Sequence, residues 1–536
     1  MKHRSKVDYA AILAGNQGGF NLGLDNFLFL RKEAVERVFN PPRIGTQGKS
    51  TGGIGALTDI SALADDSFNI AVDGGPVTAV SLDVAGKTDG DLVAAEIESA
   101  VNAALLAASL DTRVWVEYES ADDHYIIYSQ STGLNSSVVI TDAALDNIAD
   151  DLNLGVGQGG TEEVGTNDQD FLIHTAGGAK FEQPVESNPH KNGRFHVGVI
   201  KSKKVVDFDL DTLINMSGNA GDSLDIPIRL LLESAFGKET VVPSTAIKYE
   251  QDLASFTFSM VKVSTIFAEY FTGMYVKDLT LTVPGDAPGT QKFVGMGSDG
   301  SIAGIGKISA IVSSSAVIPL ATTPYPHAEL FTADSRVMIV SADGRTITAG
   351  ADGSLWISSV DLLTDSVTLS AAVDAEADGY LCPWHPGAVQ QTARDAIYTD
   401  LEGTFKFKTS GNEVCATNIS LGIVNDHIDR NNCFGKDTNQ GNVKGNRCTM
   451  TLTATLDLSS QNLGDLIQAR KFGGFVPELV IGDASSGRYL RISSPKWIVS
   501  VPSIDLPENG TTPIEFTGIF YQSEPGARDP IVWEYL

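Results

Sequence analysis

Apolar and polar residues alternate along most of this chain, and the alternation predicts a protein built mainly from β-strands. Strand patterns recur at a spacing of roughly 8–12 residues and are separated by glycine, proline and Asp-Gly turns. Helical spacing of apolar residues appears instead in Asp91–Leu106, Asp225–Gly237 and Asn462–Lys471. The expected fold is therefore mainly β with α+β elements: two β-sandwich or barrel domains, each with a packed helix, an inserted α+β module and a small β-domain.

The segment Ser67–Gly155 reads as one small folded module. Its predicted elements are a hairpin (Phe68–Gly74 and Val77–Leu82), the helix Asp91–Leu106, three strands (Val114–Tyr118, Tyr125–Tyr128 and Val138–Thr141) and a short helix, Leu145–Leu152. This order, ending in Leu152-Asn153-Leu154-Gly155, resembles the IN motif of flagellin and hook proteins, and similar insertions decorate bacteriophage tail proteins. Both settings are self-assembling extracellular tubes, so the resemblance favours a building protein over a catalyst.

Glycine-rich stretches at 41–60 and 155–166 predict linkers on both sides of this module. They divide the chain into four predicted domains. These are a discontinuous first domain (1–40 and 167–300), the inserted module (50–165), a small β-domain (301–390) and a last domain (391–536). The last domain repeats the element order of the first: a long strand, a capped helix nearby, then paired strands around a Gly or Asp turn. That order predicts a duplication.

Charge is unevenly distributed along the chain. The whole sequence has 67 acidic and 38 basic side chains, a net charge of −29, and residues 61–160 carry 17 acidic side chains against only Lys87 and Arg113. An acidic surface repels nucleic acid, because phosphate binding requires Lys and Arg to displace counterions. Simple solubility explains the charge equally well. The net −15 of residues 61–160 predicts that the module is an exposed outer decoration.

Neither a membrane segment nor an export signal is evident in the sequence. No run of 18 apolar residues occurs, and the basic start Met1–Lys6 is followed by too short an apolar stretch for a secretory signal. We expect synthesis and assembly in a host cytoplasm. The four cysteines, Cys382, Cys415, Cys433 and Cys448, form no C-x-x-C pair, which disfavours a zinc ribbon. Free buried thiols are the leading expectation, with a Cys433–Cys448 disulfide as the alternative.

Several segments outside residues 41–166 are similar to bacteriophage major tail tube proteins. They are Phe271–Leu281, Gly295-Met296-Gly297, Gly445–Leu452, Arg491–Trp497 and Pro513–Tyr521. The resemblance implies two tail-tube-like domains in one chain and a structural role in the virion tail. In that family, tube domains pair their sheets between subunits around a DNA channel, and one-domain members form hexameric rings. Two tube domains per chain imply trimeric, pseudo-hexameric rings stacked into a tube.

The same resemblance implies the partners. They are further copies of this chain, other tail proteins such as the tape measure, terminator and tail-tip proteins, and double-stranded DNA in transient, non-specific passage. It implies no membrane insertion, no cofactor and no enzymatic activity.

Candidate chemistry in the sequence is weak. Asp207, Asp209 and Asp211 open like a calcium loop, but the sixth and twelfth positions of that loop are Thr212 and Gly218 instead of Gly and Glu. Capping or a solvated turn is the expectation for these aspartates. The eight histidines form no H-E-x-x-H pair, and His385 is expected in a loop. No catalytic, cofactor-binding or metal-binding residue is therefore predicted.

Two other functions compete with the tube subunit. One is a secreted or tail-tip adhesin that binds carbohydrate, which an export signal or an exposed aromatic cluster would favour. The other is a polysaccharide-degrading tailspike enzyme. Such a fold requires regular solenoid repeats, which the sequence lacks.

Overall fold

The structure is a computed structural model. It describes residues 3–4, 27–35, 37–42, 47–64, 66–108, 110, 112–129, 136–144, 147–165, 170–172, 174–182, 185–187, 191–192, 195–196, 199–201, 204–214, 226–242, 246–252, 254, 256–264, 266–284, 287–323, 325–342, 344, 346–386, 403–407, 412–414, 416–429, 442–457, 477–483, 488–499, 513–521 and 530–536. These residues divide into two compact units. Arg43–Asp170 form one unit, and the described residues of Met1–Pro42, Phe171–Pro386 and Ala393–Leu536 form the other.

The fold is mainly β, as the alternating pattern predicts, and no sheet closes into a barrel within the described residues. The strands up to residue 213 are β1 His3–Arg4, β2 Phe27–Lys32, β3 Lys49–Thr51, β4 Ser67–Val72, β5 Thr78–Ser81, β6 Val114–Glu119, β7 His124–Ser129, β8 Val138–Asp142, β9 Thr161–Glu163, β10 Phe171–Leu172, β11 Ala176–Glu182, β12 Val185–Ser187, β13 Lys191–Asn192, β14 Phe195–His196, β15 Val199–Lys201 and β16 Val205–Leu213.

The strands from residue 237 onward complete the sheets. They are β17 Gly237–Val242, β18 Ala246–Gln251, β19 Phe258–Val263, β20 Ala268–Val283, β21 Thr290–Gly297, β22 Asp299–Ala303, β23 Gly306–Lys307, β24 Val312–Pro319, β25 Val337–Val340, β26 Thr346–Ala349, β27 Ile357–Asp361, β28 Ser366–Ala375, β29 Tyr380–Pro383, β30 Gly403–Phe407, β31 Asn412–Val414, β32 Ala416–Asp429, β33 Asn442–Asp457, β34 Pro477–Asp483, β35 Arg488–Ser493, β36 Lys496–Val499, β37 Pro513–Tyr521 and β38 Val532–Tyr535.

Two of the three predicted long helices lie in the described residues, and both form. Helix α1 spans Gly90–Ala107, and its N-terminus is capped by the Asp89 carboxylate, which accepts the backbone N–H of Leu92 at 2.9 Å. Helix α2 spans Ile226–Phe236 and is followed by Gly237 at φ 98°, a conformation that favours glycine at a helix end. The predicted helix Asn462–Lys471 lies outside the described residues.

The predicted short helix Leu145–Leu152 is wrong where the structure describes it, because residues 148–153 form turns. The cause is a competing backbone partner. Ile148 donates its N–H to the Ser67 carbonyl at 3.0 Å, beside a parallel bridge between Ser67 and Asn147. The Asn147 side chain also accepts the Ala143 N–H at 3.1 Å, a local bond of the kind that competes with helix formation.

The Arg43–Asp170 unit packs α1 against two small antiparallel sheets. One sheet has the order β6-β7-β3-β9 and the other β5-β4-β8. The apolar stripe of α1 is buried with residues from the inner faces of both sheets. The core consists mainly of Val93, Ile97, Val101, Leu105, Phe68, Ile70, Val72, Val114, Val116, Tyr125 and Ile127.

The other unit has a twelve-stranded sheet facing a seven-stranded sheet. The main path of the large sheet is β10-β2-β19-β20-β32-β33-β37-β36, with β22, β21, β16 and β11 joined through β20. The seven-stranded sheet has the order β17-β18-β38-β35-β34-β30-β31. Side chains of both sheets and of α2 share one core, which includes Leu231, Phe271, Leu279, Tyr249 and Trp533.

Strands of the first and last predicted domains pair directly in both of these sheets. In the large sheet, β20 pairs with β32, and Leu279 lies opposite Ile423. In the seven-stranded sheet, β18 pairs with β38, and Tyr249 lies opposite Trp533. The predicted division into four domains stays a prediction, as does the duplication, since the second helix on which it depends is not described.

The stretch predicted as a small β-domain forms two further sheets. One has the order β1-β26-β25-β29-β23, so that the N-terminal His3–Arg4 pair with Thr346 and Ile347. The other has the order β24-β28-β27. Cys382 on β29 is buried, as the sequence predicts, whereas Cys448 on β33 is exposed; Cys415 and Cys433 lie outside the described residues.

Candidate functional site: the polar face of the large sheet

Seven neighbouring strands of the large sheet present a broad face opposite the core. Their order is β16-β21-β20-β32-β33-β37-β36, all antiparallel. Neighbouring strands lie about 4.8 Å apart, so seven of them span about 29 Å. We call this surface the polar face.

Side chains alternate between the core and the polar face along these strands, except at bulges in β20 and β32. On the core side, Leu210, Phe293, Leu279 and Ile423 are matched across four strands and are buried. The intervening residues therefore point away from the core and lie on the polar face. Three rows cross that face.

Threonine is the commonest residue in these rows, and apolar and charged residues fill many of the other positions. The first row is Leu213, Thr290, Thr282, Ser420 and Thr453; the second is Asp211, Lys292, Thr280, Gly422, Thr451, Ile519 and Ile498; the third is Asp209, Val294, Asp278, Val424 and Thr449. Threonine suits a solvated sheet face, because its β-branched side chain favours the strand conformation and its hydroxyl group forms hydrogen bonds with water. Hydroxyl groups thus lie on each of the strands β21, β20, β32 and β33, whereas Val424, Ile519 and Ile498 add exposed apolar side chains on β32, β37 and β36.

Charge on the polar face is concentrated at the β16 side. Asp207, Asp209 and Asp211 alternate with the buried residues of β16, and Lys292 Nζ lies 3.6 Å from Asp209 Oδ2. These three aspartates occupy a continuous strand, so the expectation of a cap or a solvated turn is wrong. In an extended strand, alternate side chains lie roughly 7 Å apart and cannot converge on one cation as a calcium loop requires.

A bulge in β20 sets the position of Asp278. The register shifts between Val276 and Asp278, so that Lys277 is the extra residue. Burial raises the pKa of Asp278, while Lys277 acts in the opposite direction. Its Oδ1 is buried and has no hydrogen-bond partner among the described residues.

The remaining sequence candidates do not build a second site. Gly295 and Gly297 lie within strand β21, where a Cβ on Gly295 would come within 2.1 Å of the Tyr275 carbonyl oxygen. They permit close strand packing. His385 follows β29 outside any strand, as expected, and burial lowers its pKa to about 4. Within the described ranges no group of His, Cys, Asp or Glu side chains could hold a metal ion.

Two clusters of interacting side chains are not predicted from the sequence. The buried carboxylate of Glu33 accepts hydrogen bonds from Thr257, Ser259 and the backbone N–H groups of Arg37 and Gly273. It ties the chain after β2 to β19 and β20, residues more than 200 positions away in sequence.

The second cluster lies on the module, where Trp115 and Tyr128 place their rings 5.2 Å apart. The alternating pattern of Val114–Glu119 could have predicted part of this cluster, because it puts Trp115 and Glu117 on the face opposite Val114 and Val116. The pairing with Tyr128 depends on the register between two strands, which the sequence pattern does not fix.

No protein family and no curated protein matches this chain. Within the described residues, no helix is both long and apolar enough to cross a membrane.

Proposed function

We propose that this protein is the structural subunit of a bacteriophage tail tube and that the polar face lines a channel through which DNA passes. The observation that carries the proposal is the polar face itself, a sheet surface about 29 Å wide on which threonine is the commonest residue and basic side chains are few. In this proposal the protein acts in the virion tail, without enzymatic activity, and is made in the host cytoplasm.

The charge of the polar face supports passage and not retention of DNA. Its described acidic side chains include Asp207, Asp209, Asp211 and Asp278, and its described basic ones include Lys292 and Lys496, with Lys277 beside Asp278 at the bulge. Each lysine or arginine contact to a phosphate releases counterions and adds affinity. A lining with few basic groups keeps those contacts scarce, and short hydroxyl side chains leave a hydrated surface along which phosphates slide.

Both halves of the chain contribute to the polar face, which supports trimeric rings. Strands β16, β21 and β20 come from the first predicted tube-like domain, and β32, β33, β37 and β36 come from the last. Three copies would supply six such groups of strands. Pairing between copies would protect strand edges that otherwise invite aggregation. The tape measure, terminator and tail-tip proteins remain the proposed partners at the ends of the tube.

Negative-stain imaging of the purified protein tests this function. We expect rings or tubes whose smallest closed species has a mass that is a multiple of three chains. We also expect the protein to pass through immobilised double-stranded DNA without retention at low salt. Particles that stay monomeric at high protein concentration would contradict a tube subunit, a ring of another order would contradict the trimer, and tight DNA retention would contradict the channel lining.

One observation favours the adhesin alternative. The Trp115–Tyr128 pair is an aromatic cluster on the outer side of a sheet, of the kind that a carbohydrate-binding protein uses. Binding of glycans by a protein that forms no rings would favour that reading over the tube.

A further inference from the structure

The sheet β6-β7-β3-β9 of the Arg43–Asp170 unit has an outer face that combines aromatic rings with carboxylates. Trp115 lies opposite Tyr128, Tyr128 opposite Lys49, and Lys49 opposite Glu163. In the adjoining row, Glu117 lies opposite Ile126. We call this surface the aromatic–acidic face.

The two rings are held in a fixed arrangement. Their centroids are 5.2 Å apart with an interplanar angle of 37°, and both side chains are half-buried. The alternate residues of the same strands, Val114 and Val116 on β6 and Ile127 on β7, are buried in the core. The rings therefore lie on a packed sheet. A rigid aromatic pair on a folded support loses little conformational entropy when it binds a partner.

Carboxylates surround the Tyr128 phenol. Burial, and after it the charges of Glu117, Glu119 and Glu163, raise the pKa of Tyr128 to about 12, and its hydroxyl group is hydrogen-bonded to Glu117. The Glu119 side chain is 51% exposed, and Glu163 is 60% exposed with Lys49 Nζ 3.4 Å from its Oε2. Three carboxylates, Glu117, Glu119 and Glu163, therefore lie near the rings against one lysine, Lys49.

His124 adds a further polar group to the same face. Its Nε2 lies 3.3 Å from Glu119 Oε2, its side chain is only 9% exposed, and its Nδ1 has no hydrogen-bond partner among the described residues. The face thus offers aromatic π-electron density and exposed carboxylates, and both attract a cationic group.

We propose that the aromatic–acidic face binds a lysine- or arginine-bearing segment of a partner protein. Cations are attracted to the faces of tryptophan and tyrosine, and arginine also pairs with carboxylates in a planar geometry. The charge of this part of the chain, 17 acidic against two basic side chains in residues 61–160, complements such a partner. A neutral glycan would gain the ring contact but not the charge. This inference does not depend on the tube function.

Fluorescence anisotropy of a labelled hexa-arginine peptide, titrated with the full-length protein at low salt, tests the proposal. We expect saturable binding that weakens as salt screens the charges. Trp115→Ala and Glu117→Gln should each lower the affinity at least about threefold, in line with a single cation–π or ion-pair contact. Asp91→Asn is the matched control. It removes one charge from the first turn of α1, away from this face, and should change the affinity less than about 1.5-fold.

Trp115→Phe distinguishes loss of the aromatic ring from loss of the fold. It keeps a ring and should weaken binding less than Trp115→Ala does. Circular dichroism melting of each variant confirms that the fold is retained. Equal losses in Glu117→Gln and Asp91→Asn would show that net charge alone attracts the peptide, and would overturn the site. Unchanged affinity in both Trp115 variants would do the same, as would binding of a neutral oligosaccharide in place of the peptide.

Discussion

If the polar face lines a DNA channel as proposed, adding lysines to it should make the protein retain DNA. Thr280 and Thr451 lie in one row, separated by Gly422, so their Cα atoms are about 10 Å apart across two strand spacings. Lysines at both positions reach separate phosphates of a duplex. Each phosphate contact contributes about −0.9 to the slope of log affinity against log salt. Two lysines per chain therefore predict a slope of about −1.8, a loss of about 12-fold in affinity between 50 and 200 mM salt.

If three chains form a ring, six lysines line it and the predicted slope is about −5.4, a loss of about 10³ over the same range. The assay is retention of a short duplex by the Thr280→Lys/Thr451→Lys protein at the two salt concentrations, with the unmodified protein as reference. Ala371→Lys/Ala372→Lys is the matched control. It adds the same charge at exposed positions of β28. If the control retains the duplex as strongly as the polar-face variant, or if the variant fails to retain it, DNA does not reach this face as proposed.

Three further substitutions test the packing and the titration of the fold. Ile97→Ala empties a fully buried site under α1 and should cost about 2–5 kcal/mol in urea unfolding, whereas Leu92→Ala, on the exposed side of the same helix, should cost well under 1 kcal/mol. Gly295→Ala brings a methyl group within 2.1 Å of a backbone oxygen and should lower the thermal midpoint, while Gly157→Ala, with open space around it, should leave the midpoint nearly unchanged. Burial lowers the pKa of His327, whose Nδ1 accepts a backbone N–H at 2.9 Å, so its contribution to stability is present above the unfolded pKa of about 6.5 and is lost as pH falls through the lower folded pKa. His327→Asn keeps an acceptor without titrating, and its unfolding free energy should vary less over that interval; an unchanged pH profile would contradict the assignment.

Periodicity in the sequence is sufficient to predict the elements whose bonds are local. The helix predicted over Asp91–Leu106 forms because its cap, its apolar stripe and its hydrogen bonds all lie within one segment. The segment Leu145–Leu152 carries a similar pattern, but the Ile148 N–H finds a partner on β4 instead. A tertiary hydrogen bond therefore determines the conformation of this segment, and the local sequence pattern does not predict that bond.

The polar face is partly readable from sequence. The alternation of Asp207, Asp209 and Asp211 with Phe208 and Leu210 has the period of a half-buried strand, a signal that the comparison with a calcium loop obscured. The sequence does not predict which other strands pair to complete the polar face. β20 and β32 pair across about 140 residues of sequence, and such a long-range register depends on which apolar faces complete the core.

The shared sheets make the two halves of the larger unit depend on each other. Cutting the chain between them would free the edges of β20, β32, β18 and β38 and would open the core that α2, Tyr249 and Trp533 fill together. Exposed strand edges beside an open apolar core favour aggregation. Each half therefore needs the other for solubility as well as for stability. The same requirement fixes the relative register of the strands along the polar face. A ring built from such chains would then contain two kinds of strand pairing. One kind, such as β20 with β32, is fixed within each chain. The other kind would form between chains at assembly, and only that kind would be open to regulation.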